Sequence, residues 1–140
     1  MLRQWLMEQV IKQRWKKLSV APDYRVEEYL GKIVEWFDPA KAMGRSLVVV
    51  YEFHGSGMND GAWTIAVGGG ECTLTKGEAD EYETKLYMTA ETYRRILMGR
   101  LDHSRFAYST GAVRFYGNTL GHRELNTFLT LPKDAGVAAL

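Results

Sequence analysis

The chain has 140 residues, 46% of them hydrophobic and 25% charged, which supports one buried core and excludes compositional disorder. Its formal net charge of +1 excludes a nucleic-acid binder that works through bulk positive charge. The lone cysteine, Cys72, excludes an internal disulfide and a cysteine zinc cluster, and no apolar run reaches the roughly 18 residues of a membrane-spanning helix.

Charge is nevertheless unevenly spread. Between Arg45 and Glu91 there are three basic and eight acidic residues; between Thr92 and Arg123 there are six basic and one acidic. Such stretches either face each other or solvent, or present a basic surface to anionic lipid headgroups, at roughly 1 kcal/mol per residue near that surface. At the N-terminus, Gln4, Glu8, Gln9, Lys12 and Gln13 interrupt any apolar signal-peptide core. Together with the unpaired cysteine, this gives the expectation of a cytoplasmic protein.

Residues 1–18 read as a basic amphipathic helix carrying Trp5 and Trp15, with a broad apolar stripe. Three roles are open to it: packing on the domain or on a second subunit, lying on a membrane surface, or acting as a mobile arm. Pro22 suits the first turn of the next helix, in which Val26, Leu30, Ile33 and Phe37 recur at helical steps until Asp38-Pro39 ends it. A short turn, 40–43, leads to Gly44, suited to a left-handed helix end. Residues 47–53 form the first strand, with Leu47, Val49, Tyr51 and Phe53 facing in and Glu52 out. A hairpin loop, 54–61, precedes a second strand carrying Trp63, Ile65 and Val67. After Gly68-Gly69-Gly70 a third strand spans 71–76, and after an acidic loop a fourth spans 82–88, with Thr84, Leu86 and Met88 on one face.

The period then becomes helical. Thr89 is an N-cap and Glu91 a favourable first-turn carboxylate for a helix whose apolar face is Tyr93, Ile96 and Leu97. A short helix within 102–108 presents Phe106, a last strand within 111–117 carries Val113 and Phe115, and a C-terminal helix within 120–131 carries Leu125, Phe128 and Leu129. Strands with one apolar face need helices over that face. The expected fold is therefore α+β, a two-layer sandwich of a five-stranded, mainly antiparallel sheet with helices covering one face. Three segments follow: an N-terminal helix and linker (1–21), a domain (22–131) and a flexible tail (132–140).

No reaction centre is expected. Neighbouring residues point apart, so Asp102-His103-Ser104 does not form a nucleophile–base relay. His54, His103 and His122 lack metal-binding spacing and read as surface histidines. Cys72 has no positive neighbour nearer than Lys76, so it reads as a core residue rather than a reactive thiol. Gly68-Gly69-Gly70 precedes a strand, and Gly55-Ser56-Gly57 likewise lacks the helix that a phosphate cradle requires. Arg94-Arg95 reads as solvated, as do the carboxylate pairs Glu27-Glu28 and Asp80-Glu81. Catalytic residues, metal ligands and cofactors are all expected to be absent, which favours a binder.

Residues 38–118 carry a series of short motifs in order. Asp38-Pro39-Ala40-Lys41-Ala42 and Gly44 precede Val50-Tyr51-Glu52-Phe53. Trp63 follows, then Gly69-Gly70-Glu71-Cys72 and Gly77. The later half has Thr84-Lys85-Leu86-Tyr87-Met88-Thr89-Ala90-Glu91, Gly99-Arg100-Leu101, Phe106-Ala107, Gly111 and Phe115-Tyr116-Gly117-Asn118. In this order and spacing the chain resembles bacterial members of the sterol-carrier-protein type-2 family, the non-specific lipid-transfer proteins, over roughly 100 residues. It departs from the family pattern at Thr119-Leu120-Gly121-His122-Arg123-Glu124 and at Tyr108-Ser109-Thr110, where a ligand tunnel would open.

The resemblance implies a tunnel between sheet and helices and a carrier of fatty acyl, sterol-like or isoprenoid lipid that performs no chemistry. The lining it implies is Phe53, Trp63, Ile65, Leu86, Met88, Ile96, Leu97, Phe106, Val113, Phe115, Leu125, Phe128 and Leu129, each of which ordinary core packing would equally explain. The alternative is a non-catalytic module with a filled core that assists a lipid- or quinone-pathway enzyme. The expected partners are an apolar lipid, an anionic membrane surface met transiently and a second copy docked through the N-terminal helix, without nucleic acid.

Overall fold

A computed structural model of the protein describes residues 20–55, 57–97 and 110–131. The expected N-terminal helix, the expected short helix within 102–108 with Phe106, and the tail 132–140 lie outside the described residues. The first described helix, α1 (Val26–Trp36), buries Val26, Leu30, Ile33 and Trp36 at the steps that the sequence predicts.

Both ends of α1 differ from expectation. Pro22 belongs to a turn before the helix, where the Tyr24 N–H donates to the Ala21 carbonyl at 3.1 Å. The flanking Arg25 supplies no side-chain cap. Instead, buried Asn59 accepts from the Val26 N–H at 3.2 Å, while its Nδ2 donates to the Tyr24 carbonyl at 2.9 Å. Phe37, expected inside the helix, lies beyond it in an antiparallel bridge with Leu129. Proline restricts the residue before it to extended backbone, and Asp38 has φ −115° and ψ 107°. Its side chain then caps the short helix α2 (Pro39–Ala42) by accepting from the Ala40 N–H at 3.0 Å. Met43 shares the left-handed turn with Gly44, at φ 49° and 75°.

The strands are β1 (Leu47–Phe53), β2 (Gly61–Gly68), β3 (Glu71–Lys76), β4 (Thr84–Met88) and β5 (Arg114–Gly117). They form one sheet in the order β3-β2-β1-β4-β5. The β1–β2, β2–β3 and β4–β5 pairs are antiparallel, whereas β1 and β4 run parallel. The sandwich is thus α+β and mainly antiparallel, as expected, with one parallel pair at its centre.

That pair requires a crossover from the sheet edge, made by 77–83. Gly77 N–H donates to Ala62 O at 2.7 Å, Ala79 N–H to Thr64 Oγ1 at 3.0 Å and Glu83 N–H to Val48 O at 3.0 Å. Thr64 and its partner Val50 are buried, although they alternate with the core-facing residues of β2 and β1. Lys85, opposite Val50, reaches Glu52 at 3.5 Å and also pairs with Glu78 of the crossover.

Helix α3 (Ala90–Leu97) starts at Thr89, whose Oγ1 accepts from the Thr92 N–H at 3.1 Å, the cap that the sequence predicts. It buries Tyr93, Ile96 and Leu97. Helix α4 (Gly121–Thr127) lies against β1 and is shorter than the predicted 120–131. The backbone beyond it is committed elsewhere: Asp38 N–H donates to Phe128 O at 2.7 Å, and Thr130 N–H to Trp36 O at 2.8 Å. These bonds tie the segment after α4 to the end of α1 and close the helical layer.

Candidate functional site

Alternation along β1 sends Val49, Tyr51 and Phe53 toward the helices, and register places Ile65 and Trp63 of β2 and Leu86 and Met88 of β4 beside them. From the helical side come Ile96 and Leu97 of α3, Leu125 of α4, and Phe128 and Leu129 just after it. Together with Val113 these residues belong to one continuous buried cluster. Each predicted lining residue named here is at most 5% exposed, so the structure brings them together in a single apolar layer. Phe115 is half-buried and packs on the rim of that layer. Phe106 lies outside the described residues.

Aromatic rings run through the layer in a connected series. Trp63 meets Phe53 edge-on with centroids 5.8 Å apart, and Phe53 meets Tyr93 at 5.4 Å. Tyr93 then lies 6.4 Å from Tyr51, and Tyr51 meets His122 edge-on at 5.5 Å. Such offset and edge-to-face arrangements are the favoured geometries of aromatic pairs.

The far end of the series is polar, and His122 corrects the surface reading of this residue. It is 2% exposed, and its Nδ1 lies 2.6 Å from the Tyr51 hydroxyl. Nε2 lies 3.4 Å from the Asn126 side-chain amide. Burial raises the Tyr51 phenol well above its ordinary pKa, so it stays protonated and can donate to Nδ1. With the amide oxygen of Asn126 turned toward Nε2–H, the chain Tyr51–His122–Asn126 is satisfied throughout. The pointer in the sequence was periodicity: His122 stands three residues before buried Leu125, on the same helical face.

The backbone under this chain is held by unusually close contacts. A Cβ on Gly121 would overlap Thr84 Oγ1, so only glycine lets α4 approach β4 this closely. Thr84 accepts from the Gly121 N–H at 3.1 Å and donates to the Asn118 carbonyl. Gly117, at φ 77°, leaves room for the Glu83 carbonyl, which a Cβ would meet at 2.5 Å.

Tyr93 is 1% exposed, and burial raises its phenol well above the ordinary value. Tyr24, whose pKa is also raised chiefly by burial, donates to the Ala90 carbonyl at 2.7 Å. Cys72, expected in the core, is half-buried on edge strand β3, and burial pushes its thiol up to about 11. Arg94, expected to be solvated, donates from Nε to the Val20 carbonyl at 2.5 Å and pairs with Glu91 at 3.2 Å. Among the described residues no group of His, Cys, Asp or Glu is arranged to hold a metal ion, and no helix is long and apolar enough to cross a membrane.

No protein-family model matches the chain, and no curated protein does. Solved structures do. The stereoselective inverting sec-alkylsulfatase Pisa1 from Pseudomonas sp. matches over 86% of this chain at 18% identity and a TM-score of 0.64. A double mutant of the same enzyme matches over 80% at 17% identity and a TM-score of 0.70. The chain spans only 18% and 17% of those two enzyme chains. Sterol carrier protein 2 matches over 72% of this chain and 84% of its own, at 17% identity and a TM-score of 0.47. The apo form of sterol carrier protein 2 from Yarrowia lipolytica matches over 88% and 89%, at 11% identity and a TM-score of 0.47. The chain thus shares its fold with a part of the alkylsulfatase that makes up under a fifth of that enzyme.

Proposed function

We propose that this protein binds and carries an apolar lipid between the sheet and its helical cover, without changing it chemically. The observation that carries the reading is the continuous layer formed by Phe53, Trp63, Ile65, Leu86, Met88, Ile96, Leu97, Val113, Leu125, Phe128 and Leu129, held between the sheet and the cover that α3 and α4 supply. Phe115 at the rim and Phe106 complete the proposed lining. The fold likeness to part of a sec-alkylsulfatase agrees with an apolar chain as ligand.

The energetics fit a carrier. Burying roughly 400 Å² of apolar ligand at about 25 cal/mol per Å² yields on the order of 10 kcal/mol gross. Association and ordering remove several of these, leaving micromolar affinity, which permits release. The test is titration of the purified chain with Nile red, an environment-sensitive apolar dye, followed by displacement with fatty-acyl competitors. Saturable uptake that competitors reverse is expected; no uptake at micromolar protein would contradict the reading and favour a filled-core module that acts on a partner enzyme.

A further inference from the structure

Among the described residues, three buried side-chain polar atoms have no hydrogen-bond partner: Trp63 Nε1, Tyr93 Oη and Asn126 Oδ1. Turning the Asn126 amide toward His122 satisfies the last. The two that remain are both donors, an indole N–H and a phenol that its burial keeps protonated. Both belong to the same aromatic series, one on either side of Phe53.

A buried donor without an acceptor is costly, and phenylalanine at position 93 would fill the same space without that cost. We propose that the Tyr93 hydroxyl is the head-group donor of an internal subsite, which accepts the neutral oxygen of a long-chain ketone, ester or alcohol. This inference rests on the lipid-carrier reading and adds the polarity of the ligand's head. Of the two neighbouring phenols, Tyr51 is already engaged by His122 at 2.6 Å, which leaves the Tyr93 hydroxyl to meet an incoming oxygen.

Charge selects the class of head. A carboxylate buried here would need a paired cation. The lysine that stands over a ring of the series is exposed Lys76, whose Nζ lies 5.8 Å from the Trp63 ring centroid, at the end of the series away from Tyr51 and His122. With Phe53 between it and the ring over which Lys76 stands, the Tyr93 donor suits a neutral acceptor.

The test compares n-dodecane, a dodecanone labelled with carbon-13 at the carbonyl, and dodecanoate as competitors of Nile red, on the native chain and on Tyr93→Phe. The native chain is expected to prefer the ketone to both others, with the bound carbonyl resonance moved downfield as a hydrogen-bonded carbonyl. Tyr93→Phe should weaken ketone binding roughly 3- to 10-fold, abolish the downfield shift, leave dodecane binding unchanged and raise the melting temperature. Equal losses for ketone and dodecane, an unchanged carbonyl resonance, or dodecanoate as the tightest ligand would overturn the subsite while leaving the carrier reading in place. Failure of all three ligands and of Nile red to bind would overturn both.

Discussion

Two single residues set the geometry between α4 and the sheet. At Gly121 a Cβ would also come 2.9 Å from Thr84 Cβ, a clash that no rotation of the hydroxyl relieves. Gly121→Ala should therefore destabilise the fold by about 1–3 kcal/mol, seen as a lower urea midpoint; an unchanged midpoint would mean that α4 sits further from β4. Tyr51→Phe leaves His122 Nδ1 without the phenol in a buried site and should cost about 1–3 kcal/mol, opposite in sign to Tyr93→Phe. An equal response of the two variants to thermal denaturation would refute the distinction between an engaged and an orphan hydroxyl. Tyr51 was legible as an inward residue from strand alternation alone. His122 is less legible, because histidine on a short, polar helix reads as solvated unless its spacing from Leu125 is weighed. Asn59 was hidden more deeply, since a cap supplied by a distant loop leaves no trace beside the helix that it caps.

At the scale of elements, α1 offers a test free of the site. Gly31 sits in mid-helix, with nothing within 4 Å of the point where an added methyl group would stand, and its backbone is helical. Gly31→Ala should stabilise the protein by about 0.5–1 kcal/mol through the unfolded state, raising the thermal midpoint; a fall would indicate a hidden contact on that face. Strand faces were readable because Glu52 marks the outward face of β1 and because β4 alternates cleanly from Thr84 to Met88. The ends of α1 and α4 were not, since Phe37 and Leu129 are apolar residues at helical spacing whose backbone pairs across the fold instead. The parallel β1–β4 pair was equally illegible, because 77–83 carries no helix to announce a crossover.

For the whole molecule, buried phenols and a thiol dominate the alkaline response. Burial raises Tyr24, Tyr29, Tyr51, Tyr93 and Cys72 above their ordinary values, 10.0 for the phenols and 9.0 for the thiol. The unfolded chain loses these protons first, so their contribution is complete below those values and is lost as pH rises toward the folded ones. The urea midpoint should be level near neutrality and fall as pH climbs from about 9 to about 11; a level midpoint across that range would contradict the burial of these groups. Fold class was legible from alternation and helical period, whereas the polar end of the layer emerges only when β1, α3 and α4 are brought together. The most direct test of the carrier claim is native mass spectrometry of the purified full chain, followed by organic extraction and lipid analysis. The account predicts a co-purified or added neutral lipid bound at one equivalent and released on denaturation; a bare protein mass that no added lipid shifts would contradict it.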